Sequence, residues 1–167
     1  MIPDWLPPEL SLSGNSLQAD IDALYAVFER DFINAAASIV DGSPVYVNPH
    51  PDPSWSNQYT HGFTHMITKG DGFRGIDYTR ARKLPWVKAT LNNYTKPEVT
   101  AFWSRAPKGD SLYLWLTDYD FVVVLRPKKG RQMVAGQKRI LITAFYIDEQ
   151  WLRRDLQRKY GSSFRQL

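Results

Sequence analysis

The hydrophobic period of this chain changes once, near Pro97, from helical spacing to strict alternation. Upstream, Leu17, Ile21, Leu24, Tyr25, Phe28, Phe32 and Ile33 recur at intervals of three and four, which lines one face of an amphipathic helix. Downstream, Ser111-Leu-Tyr-Leu-Trp-Leu-Thr117 puts Leu112, Leu114 and Leu116 on one side of a strand. The connections after Pro97 are too short for parallel crossovers, so these strands must pair as hairpins. The expected fold class is α+β: N-terminal helices packed on a four-stranded antiparallel β-meander, with a C-terminal helix.

The boundaries follow from local chemistry. Residues 1–15 hold Pro3, Pro7, Pro8 and Gly14 and read as a Pro-rich extended arm, with Trp5, Leu6 and Leu10 available to pin it. Ser16 is placed to cap the first helix, with Asp20 and Asp22 near its positive end and Gly42 as a stop signal. Pro44 to Val47 suits a short strand, and a loop with Pro49, Pro51, Pro53, Trp55 and Asn57 follows. Tyr59 to Lys69 reads as a helix ended by Gly70-Asp71-Gly72. Ile76 to Asn93 is helical again, with Pro85 either opening a second helix or kinking a single one. The strands are expected at Val99–Trp103, Ser111–Thr117, Phe121–Leu125 and Arg139–Ile147. Asp148 is placed to cap a helix from Glu149 to Tyr160. Repeats and linkers are absent, so residues 1–167 form one expected domain: arm, mainly helical half (16–93), sheet (97–147) and C-terminal helix (149–160).

The balance of 21 Lys+Arg against 17 Asp+Glu and a pI near 9.3 suit a polyanionic partner without requiring one. Cysteine is absent, which removes disulfides, thiolate nucleophiles and Cys-based zinc sites and suits a reducing compartment. The start of the chain lacks the basic and apolar stretches of a signal peptide, and its apolar runs are only strand-length. A cytoplasmic protein with no membrane partner is expected. Six Trp, nine Tyr and eight Phe serve core packing or base stacking equally well.

Four groups of residues can carry chemistry. His61 and His65 share one face if their segment is helical, and two imidazoles near neutral pKa can serve both ends of a phosphodiester cleavage. As a zinc site the pair lacks the glutamate of an HExxH motif and has only His50 as a further imidazole. As ordinary residues one or both would be polar surface or hydrogen-bonded core residues. Arg74, Arg80, Arg82 and Lys83 can clamp phosphate oxygens, or simply form a solvated helix face with an Asp77–Arg80 pair. On the last strand, Thr143 shares a face with Phe145, and Tyr146 points the other way unless a bulge re-aims it. Arg126 opens a basic loop that runs to Lys138 and Arg139, a footprint for a nucleic-acid backbone or a solubilising hairpin. No P-loop, Rossmann glycine pattern or nucleophile elbow is present, and no cofactor is expected. The carboxylates are not paired for two-metal chemistry, so a metal-free attack by an RNA 2′-hydroxyl is the expected route for any phosphodiester cleavage.

The order of these pieces carries a resemblance. Phe63-Thr-His65 and Lys69 come first, then an Arg-rich stretch ending in Leu84-Pro-Trp86. A hairpin with Tyr119-Asp-Phe-Val-Val-Val-Leu125 follows, then a last strand with Leu-Ile-Thr-Ala-Phe-Tyr146. From Leu17 to Tyr160 the chain resembles phage- and prophage-borne proteins of the barnase–EndoU–colicin–RelE superfamily. The resemblance implies helices on a four-stranded antiparallel sheet and a metal-independent ribonuclease, used as a toxin or in conflict between phage and host. The RNA would be tRNA or another structured RNA, and an inhibitor or immunity protein is a possible partner. Carried over, His65 is acid or base, Arg80 with Arg74 or Arg82 holds the scissile phosphate, and Thr143 supplies a hydroxyl. Related proteins often read Thr-Ala-Tyr where this chain has Thr143-Ala-Phe145 and then Tyr146. That departure leaves open a binding module without catalysis, such as a phage-encoded modulator of a host factor. Sugar or cell-wall binding rests only on the aromatic excess.

Overall fold

The computed structural model describes residues 1–55, 57–70 and 75–167. The fold is mixed α+β, with a seven-stranded sheet in the order β1-β2-β6-β5-β4-β3-β7. The central strands are β3 (Val99–Ala106), β4 (Gly109–Leu116), β5 (Phe121–Pro127) and β6 (Arg139–Tyr146), each antiparallel to the next. Three strands extend the expected four-stranded meander, and one of them, β2, falls where a short strand is expected at Pro44 to Val47. The hairpin of β1 (Ile39–Val40) and β2 (Ser43–Tyr46) is joined by a parallel pairing of β2 with β6, and β7 (Arg165–Gln166) closes the far edge on β3. Both β1 and β7 are too short to show any alternation in sequence.

One face of the sheet is covered by helices and holds the main core, including Leu114, Val123 and Ala144. On the other face Phe102, Trp115, Val122 and Val124 pack on Leu156 of the C-terminal helix α5 (Gln150–Gly161). Ser16 caps α1 (Leu17–Phe28) by accepting from Ala19 N at 3.3 Å. The periodicity expected to Ile33 ends in a π-turn over Glu29–Ile33, closed by Asn34 N donating to Glu29 O at 2.8 Å. Gly42 is not a helix stop. With Asp41 (φ 47°) and Gly42 (φ 73°) the chain makes the two-residue hairpin turn between β1 and β2, which needs positive φ at both positions. The stretch from Ile76 to Asn93 is two helices, α3 (Tyr78–Ala81) and α4 (Leu84–Asn92), with Pro85 in the first turn of α4. Asp148 does not cap α5. Glu149 holds that position, and Asp148 instead accepts from Lys69 Nζ at 2.6 Å.

The N-terminal arm folds back on the body. Leu6 and Leu12 are buried, Pro7 O accepts from Trp86 Nε1 at 2.8 Å, and Leu10 N donates to Arg82 O at 2.8 Å. Asp20, expected as a dipole partner, is buried and accepts from Ser13 N, Gly14 N and the Tyr78 hydroxyl. These bonds, led by that of Tyr78, hold its carboxyl below the usual range. Among the described residues no helix is long and apolar enough to cross a membrane.

Arg139 is the cation of the interior, with 2% of its surface exposed. Its guanidinium lies 4.8 Å from the centre of the Trp103 ring and donates to Val40 O at 2.5 Å. It thereby joins the β1–β2 hairpin to β3, near the opposite end of the strand order. Replacing Arg139 with Ala removes the stacking and leaves Val40 O and Asp41 facing a void. A loss of roughly 3 kcal/mol is expected, the scale for removing one partner of a buried charged network. Urea unfolding followed by Trp fluorescence checks this, and an unchanged midpoint would contradict it.

Candidate active site at the edge of strand β6

Strand β6 carries one extra residue. Val124 pairs with Thr143 and Leu125 with Leu141, so Ile142 is the bulge. Beyond it, Thr143 and Phe145 share the face of Val124 and Val122, toward α5. Ala144 lies in the main core, so the alternation sends Tyr146 toward the helices. The expected convergence of Thr143 with His65 and Arg80 is therefore not what this register builds. Thr143 stands on the opposite face of the sheet, and Tyr146 takes the helix side.

The histidines come together. Helix α2 (His61–Ile67) lies against β6, and its rings of His61 and His65 stand 5.5 Å apart at an interplanar angle of 83°. They open on a groove lined by Asn48, Gly62, Ile140, Leu141 and Ile142. Gly62 permits this close approach. Its N–H donates to Asn48 O at 3.0 Å, and a Cβ there would lie 2.8 Å from the same oxygen.

Behind His61 sits a carboxylate for which the sequence offers no motif. Asp52 is buried, accepts from the hydroxyls of Thr64 and Ser54 at 2.6 Å each, and lies 3.6 Å from His61 Nδ1. That last separation is ion-pair rather than hydrogen-bond distance. Burial pushes the Asp52 carboxyl up. The bonds from Ser54 and Thr64, with His61 nearby, outweigh burial and hold it below its usual range. Asp52 is placed by a local bridge in which its N–H donates to Tyr59 O at 2.8 Å. The Pro-rich loop hid this, because its residues share no helical or strand spacing with His61.

A cleft of mixed charge adjoins the C-terminal end of α2. Arg80 Nη1 donates to His65 O at 3.3 Å and to Thr68 O at 2.6 Å, so its guanidinium occupies the negative end of the helix. Asp77 caps α3 through Arg80 N and accepts from the Tyr146 hydroxyl at 3.1 Å. Lys69 Nζ lies 5.6 Å and Lys83 Nζ 5.9 Å from the Tyr146 ring centre. Arg80 and Lys69 line one cleft with Tyr146, Phe145 and Trp151 and with the carboxylates of Asp148 and Glu149. Burial first, and then the Asp77 carboxylate, raises the Tyr146 hydroxyl, which keeps it a protonated donor at neutral pH. The hydrogen bond to Asp148 raises the Lys69 ammonium and lowers Asp148.

The other expected residues lie apart. Arg82 stacks on Tyr78, with its guanidinium 5.6 Å from the ring centre. Lys83 also pairs with Glu9 of the arm at 3.0 Å. Arg126 donates to the Ser111 hydroxyl at 3.2 Å in a separate cleft with Lys108 and Lys159. Arg74 falls outside the described residues. Among the described residues no three His, Cys, Asp or Glu side chains are grouped to hold a metal ion. Comparison with protein-family models, curated proteins and solved structures gives no match for this chain.

Two outcomes follow. Gly62→Ala forces α2 away from backbone on its far side, at a cost of about 2 kcal/mol in the urea midpoint, the scale of overpacking. Asp52 has a depressed folded-state pKa, so its stabilising contribution is complete above the unfolded value of about 3.9 and fades as pH falls through the lower folded value. The gap in melting temperature between the protein and Asp52→Asn is therefore largest near pH 6 and narrows below about pH 4. A gap independent of pH would show that the charge of Asp52 is not what matters.

Proposed function

We propose that the His61–His65 groove is the acid–base centre of a metal-independent endoribonuclease. The observation that carries this reading is the pair of imidazoles side by side, one backed by a buried carboxylate. Asp52 faces His61 Nδ1 at 3.6 Å, and on this reading His61 Nε2 takes the proton from an RNA 2′-hydroxyl. The 2′-oxygen attacks the adjacent phosphorus and the bond from phosphorus to the 5′-oxygen breaks. His65, protonated, returns a proton to that leaving oxygen. The products are a 2′,3′-cyclic phosphate and a free 5′-hydroxyl. Lys69 and the Arg80 guanidinium next to His65 supply positive charge beside the phosphorane, and Tyr146 offers a neutral hydroxyl.

Helices before a β3–β6 meander are also the arrangement that the likeness to the barnase–EndoU–colicin–RelE superfamily implies. On that reading β1, β2 and β7 are additions at the two sheet edges. A toxin or phage–host conflict factor of this kind would work in the cytoplasm on tRNA or another structured RNA and would call for an inhibitor or immunity partner. One observation favours a second reading. Thr143, the hydroxyl that the likeness assigns to the phosphate, lies on the opposite face, which suits a module that binds RNA or a host protein without cutting it.

Total tRNA incubated with the protein in EDTA separates the two. The expected result is fragments ending in 2′,3′-cyclic phosphate, formed about 10²- to 10⁴-fold more slowly by His65→Ala and by His61→Ala. Intact RNA at high protein concentration would overturn the nuclease reading, and cleavage only with added metal would overturn the mechanism.

A further inference from the structure

Tyr46 ends β2 next to the core residue Val45, and the alternation turns its ring outward, where 38% of the residue is exposed. Two ammonium groups converge on that ring, Lys128 Nζ at 5.2 Å and Lys138 Nζ at 5.5 Å from its centre. They come from the two ends of one loop, closed at its base by Lys128 N donating to Lys138 O at 2.9 Å. Lys129 and Arg131 lie in the same loop, and no carboxylate occurs between Arg126 and Arg139. Tyr46 pairs in parallel register with Ile140, and Ile140 lines the histidine groove together with Asn48, the next residue but one after Tyr46. The ring and the groove are thus neighbours along β2 and β6.

We infer that Tyr46, Lys128 and Lys138 form a subsite for single-stranded RNA, holding a nucleotide that flanks the phosphate in the histidine groove. An exposed aromatic ring accepts any base by stacking, and lysines beside it meet the phosphates on either side. Without RNA the two ammonium groups rest on the ring by cation–π attraction, and their flexible stems let them swing to a phosphate. The complementarity is of charge as well as shape: every charged residue of the loop is basic, and single-stranded RNA is a polyanion. The inference rests on the groove being an RNA site, and it explains how a strand of RNA would be led into it.

The test uses the full chain and a fluorescent 2′-O-methyl oligoribonucleotide, which lacks the attacking hydroxyl and reports binding alone by anisotropy. Tyr46→Ala should weaken binding roughly tenfold with little change in salt dependence, whereas Tyr46→Phe keeps the affinity. Lys128→Ala combined with Lys138→Ala should reduce the slope of log K against log salt by about 1.4, the counterion release of two single-strand phosphates. Binding with these dependences but no cleavage of unmodified RNA would leave the subsite standing and sink the nuclease reading. Cleavage or binding that ignores all three substitutions would overturn the subsite and reduce the lysines to guards of a sheet edge. Absence of binding, or binding to duplex RNA only, would also overturn it.

Discussion

The bulge at Ile142 is the constraint on which the rest of the site depends. A regular β6 would keep Thr143, not Ala144, on the face of Leu141, and would turn Tyr146 away from the helices. With one residue inserted, Ala144 fills the core and Tyr146 reaches Asp77. The strand also offers Ile140, Leu141 and Ile142 as one wall of the histidine groove at the irregularity itself.

Carboxylates organise the helical side, and each is spent on holding a segment in place. Asp20 gathers the arm, α1 and Tyr78; Asp52 ties its Pro-rich loop to α2 through Thr64; Asp77 joins α3 to β6 through Tyr146. Asp41 receives Arg165 at 2.7 Å, which fastens the C-terminal strand beside the first hairpin. These four acids are paired within the scaffold, and the loop beside β2 carries no carboxylate of its own. The result is a polar face whose charge is set by what the fold consumes rather than by composition alone.

The meander was legible because short runs of alternating or continuously apolar β-formers between turn signals have few other readings, and β3 to β6 fall where Val99, Ser111, Phe121 and Arg139 announce them. Helix α1 and the break at Pro85 were legible for similar reasons. The site was less so. His61 and His65 follow from helical spacing, but the register shift that separates them from Thr143 leaves no mark, since Ile142 is as good a β-former as its neighbours. Asp52 acts across a bridge between Pro51 and Thr60, a contact that no periodicity announces. Asp41-Gly42 was a readable hairpin signal, hidden because Gly42 also suits the end of a helix.

The parallel pairing of β2 with β6 has a consequence for when the molecule becomes competent. Val40 and Arg139, 99 positions apart, meet only after the meander has been made, and the histidine groove is walled by Asn48 from the early partner and Ile140 to Ile142 from the late one. Local helices and hairpins form quickly, whereas a contact that closes so long a loop comes at the end. During synthesis α2 leaves the ribosome long before the strand that completes its groove. The histidines are thus made early and armed late.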